Sequence, residues 1–256
     1  MIGDMSMQQI RSSLLACALV SMAAGVWPQN TMAGSSGNVS AAEIVERMQR
    51  HNQAQTEELK HYKTLRHYQV DYHGFSTTLA ARMDVEATYD SATGKSLRIV
   101  SQSGSNFLCN KVLKRAIDSE KEASQDKAAT ALTTANYRFR LDGNEILDGR
   151  PAYILDVEPV TASKFLYRGK IWVDAAEFAV VKMETEPAKN PSFWISRTQI
   201  HYTSTKTGGF WLPRQMRSET KVRIGGTAVL TIDYGSYQVE PRDKEQGAEN
   251  RDRGSQ

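Results

Sequence analysis

The spacing of apolar residues along the chain changes from helical to strand-like and back. A helix is predicted from Ala41 to about Leu59, because apolar residues recur at spacings of three and four. Ser40 and Glu43 match a capping box, in which each side chain satisfies a free backbone amide of the other residue. The second half of this helix is polar, which indicates that it is exposed.

From Tyr62 onward the apolar period becomes two, which is typical of antiparallel strands with one wet face. Three strands are predicted before residue 100. The period then returns to three and four, which predicts an amphipathic helix from about Asn106 to Glu122. A further short helix is predicted within the segment from Ala128 to Ala135.

Strands resume at Tyr137 and continue to Val239, so that we expect about ten in all. Asp148-Gly149 and Gly208-Gly209 are typical of tight hairpin turns. In "GKIWVDAAEFAVVKME", residues 169 to 184, alternation places Ile171 and Val173 on one side and Trp172 on the other. Both sides of this hairpin are apolar, which raises the question of what its second face contacts.

These elements predict an α+β fold that is mainly antiparallel β. A meander of this many twisted strands tends to curl, and the predicted helices are available to cover its concave side. One apolar face would then pack as core, while the other would line a cavity beneath the helices. A filled sandwich satisfies the same periodicity.

The two ends of the chain have compositions of their own. Arg11 followed by a short apolar run from Leu14 to Val26 and small residues at Ala33 predicts a signal peptide over residues 1–33. Cleavage near Ala23 or Ala24 is the alternative, and Cys17 is a weak candidate for lipidation. We expect one domain over residues 34–240 and a disordered, charge-rich tail over residues 241–256.

Charge and cysteine content exclude some classes of function. The 256 residues carry a formal net charge of +3 without a basic block, so we expect no nucleic-acid partner. Removal of the predicted signal peptide leaves Cys109 without a disulfide partner. Its simplest interpretation is a small buried hydrophobe, and a reactive thiol is the alternative.

No catalytic, nucleotide-binding or metal-binding motif is present, so we expect no enzyme activity and no cofactor or metal. His67 and His73 share one side of a predicted strand with Asp71, but residues on one strand are too widely spaced to form a metal site alone. A pocket that groups His67, His73 and His201 would instead favour an enzyme.

Five segments resemble proteins of the LolA-like, outer-membrane lipoprotein-sorting family: "VLKRAIDSEKEA", "NYRFRLDGNEILDGRPAYILDVEP", "FLYRGKIWVDAAEFAVVKMETEPAKNPSFW", "GGFWLPRQMRSET" and "LTIDYGSY". The resemblance implies an unclosed β-barrel, or half-barrel, with helices over its concave face. It also implies a cavity for acyl chains and a lid-latching arginine. Arg66 and Arg82 are candidates for that arginine by their strand positions.

The function that the resemblance implies is a periplasmic, monomeric carrier of acylated lipoproteins or lipids, with membrane-bound donor or acceptor proteins as partners. A cell-envelope sensor or interaction module on the same fold is the alternative. Apolar residues on the predicted strands and lid helix are candidates to line the cavity: Leu97, Ile99, Leu113, Ile117, Phe139, Tyr153, Trp172, Trp194 and Phe210.

Overall fold

The computed structural model describes residues 39–242, except residues 126, 164, 191, 192, 194 and 224 and the side chains of residues 125 and 127. The predicted signal peptide, Cys17, Trp194 and all but the first two residues of the predicted tail lie outside the described residues.

Within this part of the chain, one long helix precedes eleven strands, and a run of shorter helical segments separates the third strand from the fourth. The helical segments are α1 (Ala41–Glu58), α2 (Asn106–Leu108), a π-helical turn (Cys109–Leu113), α3 (Lys114–Gln125) and α4 (Lys127–Thr130). The strands are β1 (Leu59–His73), β2 (Thr78–Asp90), β3 (Gly94–Gly104), β4 (Tyr137–Leu147), β5 (Arg150–Pro159), β6 (Tyr167–Asp174), β7 (Val180–Pro187), β8 (Ile195–Thr207), β9 (Phe210–Val222), β10 (Gly226–Tyr234) and β11 (Gln238–Pro241).

The strands form a single antiparallel sheet in the order β3-β2-β1-β10-β9-β8-β7-β6-β5-β4, with β11 paired to β1 beside this path. Strands β3 and β4 follow each other in the chain yet occupy opposite edges of the sheet. The sheet is therefore an unclosed half-barrel, as predicted. The helices at residues 106–130 belong to the one connection that must run from one edge to the other.

Two helices cover separate parts of one face of the sheet, which we call the covered face. Ile44, Val45 and Met48 of α1 pack on strands β4 to β7. Leu113 and Ile117 of the crossing segment pack on β1 to β3 and β10. A third, smaller core surrounds Leu59, Tyr62, Phe210 and Leu212. The remaining face, which we call the outer face, carries most of the charged side chains.

The helix predicted from Asn106 to Glu122 is present, but it is interrupted by the π-helical turn at Cys109–Leu113. The wider turn adds one residue to the helical repeat, so Leu108, Cys109, Leu113 and Ile117 all face the core. Cys109 is 1% exposed and has the position of a small buried hydrophobe. The second short helix occupies only Lys127–Thr130 of the predicted segment.

The hairpin at residues 169 to 184 departs from simple alternation at one point. A bulge opposite Trp172 and Val173 pairs Val173 with Val180, and Ile171 with Met183. Val180 and Met183 therefore both face α1, although they lie three residues apart, because a bulge inserts one unpaired residue. Trp172 lies on the outer face, where the Lys182 ammonium sits 4.1 Å from its ring centroid.

Turn chemistry at the strand ends agrees with the sequence. Asp148 and Gly149 have φ values of 50° and 80°, and Gly208 and Gly209 have 59° and 88°, the left-handed pair that tight hairpins need. No helix of the described residues is long and apolar enough to cross a membrane.

Candidate functional site

A cleft of about 810 Å³ lies on the covered face between α1 and the crossing segment. Its floor is apolar and comes from strands β1, β7, β8 and β9, and its walls come from the polar half of α1 and from α3. The floor includes Leu59, Tyr62, Val180, Met183, Tyr202 and Leu212, and the walls include His51, Gln55, Glu120 and Ala123.

The cleft follows from how the two helices bury their apolar residues. Helix α1 places Ile44, Val45 and Met48 in its first half, and its second half faces the sheet with polar side chains. Met183 and Tyr202 are direct cross-strand partners beneath that half, and neither is fully buried. An apolar floor therefore remains uncovered where α1 has no apolar side chain to place on it.

Arg66 ties strand β1 to α3 at one wall of the cleft. Its side chain is 1% exposed, and its Nη1 donates to Oε1 and Oε2 of Glu120, both at 2.9 Å. Lys95 Nζ donates to the same carboxylate at 2.7 Å. The Arg66 guanidinium also stacks over Tyr234, with Cζ 4.7 Å from the ring centroid. One carboxylate on α3 thus holds cations from both β1 and β3.

The electrostatics of this cluster favour the ionised pair. Burial alone would raise the pKa of Glu120, but Lys95 and Arg66 hold that pKa below its ordinary value. Burial opposes the charge of Arg66, yet the Glu120 carboxylate raises the pKa of the guanidinium above its ordinary value. Both groups remain charged at neutral pH, and α3 is anchored by charge as well as by apolar contact.

The two candidate latch arginines lie on opposite faces of the sheet. Arg66 is in phase with Tyr62, Tyr68 and Val70 on the covered face, and its guanidinium meets the crossing segment. Arg82 is exposed, and its Nε donates to Gln69 Oε1 at 3.4 Å across the β1–β2 pair. Of the two, Arg66 contacts the crossing segment and Arg82 contacts the neighbouring strand.

Helix α1 is tied to the sheet at the other wall by a two-point contact. Gln55 Nε2 donates to the Trp211 carbonyl at 3.0 Å, and the Trp211 amide donates to Gln55 Oε1 at 2.8 Å. The Trp211 indole Nε1 donates to Glu177 Oε2 at 3.0 Å, and Lys206 donates to the same oxygen at 2.7 Å. Burial lowers the pKa of the neighbouring His51, which favours its neutral form.

The predicted cavity residues are distributed over several parts of the sheet. Leu97, Leu113 and Ile117 belong to the core under the crossing segment, and Phe139 and Tyr153 pack at the core under α1. Phe210 belongs to the third core. None of the eight described candidates lines the central cleft.

Three of these candidates line a smaller crevice instead. Leu97, Ile99 and Ile117 border a space of about 390 Å³ between β3 and α3. Trp172 lies on the outer face, and Trp194 lies outside the described residues.

Most of the residues that border the cleft were not singled out from the sequence, because they come from segments far apart in the chain. Met183 and Trp211, which suit an apolar cavity by residue type, are the exceptions. Arg66 offered one usable signal. It occupies an apolar phase of β1, where a buried cation needs a carboxylate partner. The tertiary structure decides which carboxylate pairs with Arg66.

A second groove, of about 620 Å³, crosses the outer face over strands β4 to β8. Rows of charged side chains border it, and neighbouring strands alternate in sign: Arg140 pairs with Asp156, Asp156 is opposite Lys170, and Lys170 is opposite Glu184. Opposite charges on adjacent strands stabilise the sheet surface modestly.

The histidines do not converge. His67 and His201 lie on strands separated by β10 and β9, and His73 is at the far end of β1. His67 Nδ1 lies 2.8 Å from Asp84 Oδ1, and Ser101 Oγ donates to Asp84 Oδ2 at 2.7 Å. In a hydrolytic triad the histidine lies between serine and aspartate, whereas here the aspartate does.

Among the described residues, no group of three or more His, Cys, Asp or Glu side chains has the arrangement of a metal site.

Comparison with known proteins shows likeness at the level of solved structures. No family model matches the sequence, and no curated protein matches it. A DUF1329 family protein from Desulfovibrio piger is similar with a TM-score of 0.42 and 14% identity, over 78% of this chain and 93% of that one. An outer membrane lipoprotein-sorting protein domain from Vibrio parahaemolyticus has a TM-score of 0.42 and 13% identity, over 82% and 98%.

The LolA superfamily protein NE2245 from Nitrosomonas europaea is similar with a TM-score of 0.38 and 14% identity, over 81% of this chain and 96% of that one.

Proposed function

We propose that this protein is a non-enzymatic carrier of acylated lipoproteins or lipids in the periplasm or cell envelope. The observation that carries the proposal is the cleft: an apolar floor lies open beneath two helices, one of which is anchored by the buried Arg66–Glu120 pair. Its volume of about 810 Å³ is within the range that small-molecule sites have in proteins, roughly 300–1,000 Å³.

Burial of an acyl chain on this floor supplies the binding energy. Each buried CH₂ contributes about 0.8 kcal/mol, so that a chain of about 16 carbons supplies on the order of 10 kcal/mol before ordering costs. Met183 suits such a chain, because an unbranched thioether adapts to flexible ligands. Release requires that part of this binding energy be offset. Moving α3 away from the cleft costs energy, and that energy is recovered when α3 closes again after the cargo leaves.

Arg66 has the role of the latch in this proposal. With Arg66 and Glu120 paired, α3 stays on the sheet, and separation of the pair lets α3 move away from the cleft wall. Because the guanidinium is buried, its separation from the carboxylate leaves a charge without a partner, which is costly. The closed state is therefore favoured until cargo contacts compensate.

Native mass spectrometry of the protein, purified from the periplasm without detergent, tests the proposal. We expect an acyl-containing adduct in equimolar amount, identified after solvent extraction. Tyr202→Glu places a carboxylate on the cleft floor and should abolish the adduct. His201→Glu places the same group on the outer face one residue away and should retain it. Circular dichroism of both variants checks that they are folded.

An unchanged apo mass in the presence of added lipid would contradict the carrier proposal. The second candidate, a sensor or interaction module, would then lead, since the charged groove of the outer face is suited to a protein partner. Capture of a defined envelope protein would support this second candidate, provided that the capture is lost when Arg168→Glu and Lys170→Glu reverse the charges of these two residues.

A further inference from the structure

The cluster at the cleft wall contains more positive than negative charge. Arg66 and Lys95 both bind the single carboxylate of Glu120. Tyr68, Tyr234 and Tyr237 also interact electrostatically with Arg66, and burial raises the pKa of all three phenols, so they remain neutral. Among these described groups, two cations therefore share one anion, and one of the two cations is buried.

One buried donor in this cluster also remains unused. The Nε of Arg66 is buried and has no hydrogen-bond partner among the described residues, and the buried hydroxyl of Tyr68 lies beside Arg66 and Glu120. Arg66 and Tyr68 are each 1% exposed. Buried donors without acceptors are costly, and in native structures such groups call for an explanation. An added acceptor with several oxygens would satisfy the excess of donors better than one carboxylate does.

The cluster is reachable from the cleft. Lys95 and Glu120 both line it, next to the aromatic rings of Tyr62 and Tyr89 on the floor and rim. The side chains of Lys95 and Glu120 are 29% and 26% exposed, so they meet solvent or a ligand directly, whereas Arg66 lies behind Glu120. A molecule with its apolar part on the floor would bring a terminal polar group to this wall.

We propose that the Arg66–Lys95–Glu120 cluster is an anion-exchange subsite for the acidic group of an amphiphilic cargo. The carboxylate or phosphate of the cargo replaces Glu120 on Arg66 and Lys95, and Glu120 moves into solvent with α3. Cargo charge thereby opens the latch, and neutral amphiphiles bind without opening it. This inference rests on the proposed carrier function, since it assigns the polar end of the same cleft.

A pair of ligands that differ only in charge tests the inference. Hexadecanoate and its methyl ester have the same apolar chain, and their affinities are measured by native mass spectrometry and by competition with a fluorescent fatty acid. We expect hexadecanoate to bind at least tenfold more tightly, which is the scale of one charge-assisted hydrogen bond in a partly buried site. Hydrogen exchange in Lys114–Gln125 should rise with hexadecanoate and stay unchanged with the ester.

Two variants separate the charge effect from the fold. Lys95→Gln should bring the ratio of the affinities for hexadecanoate and its methyl ester close to one, through weaker binding of the acid only. Arg98→Gln, on the outer side of the same strand, is the control and should leave this ratio unchanged. Glu120→Gln removes the internal competitor and should tighten hexadecanoate binding severalfold. Asp118→Asn, an exposed residue on the same helix, should not.

The outcomes distinguish this inference from the carrier proposal. If neither ligand binds, the carrier function fails and the subsite fails with it. If acid and ester bind equally, or Lys95→Gln weakens both equally, the carrier function stands and the anion subsite is wrong. Inorganic phosphate, an anion without an apolar chain, is the last control ligand. If phosphate alone raises exchange in Lys114–Gln125, the occupant is a free anion, and the amphiphile assignment is overturned.

Discussion

Nη1 of the Arg66 guanidinium donates to both carboxylate oxygens of Glu120 at 2.9 Å, although the two residues lie 54 positions apart in the chain. Arg66 belongs to β1, the third strand from one edge of the sheet, and Glu120 belongs to α3 in the crossing segment. Hydrogen bonds between two charged groups are stronger than those between neutral groups. This contact therefore adds a charged anchor to the apolar packing that holds the crossing segment on the sheet.

Replacement of Arg66 by glutamine should loosen α3 without unfolding the sheet. We expect amide hydrogens of Lys114–Gln125 to exchange at least tenfold faster, because glutamine makes no charged pair with Glu120. Amides of α1, which belongs to a different core, should be unaffected. The measurement is hydrogen exchange with mass spectrometry.

Arg82→Gln is the matched control, since Arg82 is the neighbouring-strand arginine that faces outward. Equal acceleration in both variants would mean that the latch assignment of Arg66 is wrong.

Acid should weaken the same contact. The pKa of Glu120 in the folded protein lies below its ordinary value of 4.5, so its stabilising contribution is complete above about pH 4.5 and is lost as the pH falls through the folded value. At neutral pH, Glu120→Gln should lower the free energy of unfolding by about 2 to 3 kcal/mol, since a hydrogen bond to a charged group is lost and Arg66 stays buried.

Urea unfolding from pH 7 to pH 3 checks this expectation. The difference between the native protein and Glu120→Gln should shrink steadily as the pH falls below 4.5. A difference that stays constant over this range would show that the charge of Glu120 contributes nothing.

Gln55 should contribute more to the stability of the protein than its position on a polar helix surface indicates. Gln55→Ala removes both hydrogen bonds to the Trp211 backbone and should cost about 1 to 2 kcal/mol of stability. Gln53→Ala removes only an exposed contact with Glu57, and its effect should stay within about 0.5 kcal/mol. Guanidinium unfolding curves of the two variants give the comparison directly, and equal costs would refute it.

The start of α1 depends on Ser40, whose Oγ accepts from the Glu43 amide at 3.2 Å. Ser40→Ala should cost about 1 kcal/mol, because the amide loses its acceptor. Ser40→Asp keeps an acceptor and adds a favourable charge at the helix N-terminus, so it should restore most of the loss. Thermal unfolding followed by circular dichroism measures both, and no recovery with aspartate would rule out capping as the cause.

Local pattern was sufficient for the types of element and for most of their limits. The helix predicted from Ala41 to about Leu59 occupies Ala41–Glu58, since a cap and a helical apolar stripe are encoded within one short segment. The Gly208-Gly209 hairpin also forms where predicted. Alternation failed at the bulge beside Trp172, because a bulge depends on the register of two strands and not on either strand alone.

Contacts between distant segments were not encoded in any local pattern. Arg66 lies on the same side of β1 as the apolar residues, which indicates a buried cation, but no local sequence pattern predicts that Glu120 is its partner. The sequence by itself determined the strands and the helices, because periodicity and turn chemistry act over a few residues. Periodicity did not separate a half-barrel from a filled sandwich, and the half-barrel was expected from the resemblance of the five segments. Only the tertiary structure decided where the cleft opens and which charges border it. Those features arise where β1, β3, α1 and α3 meet, and their meeting depends on the packing of the whole sheet.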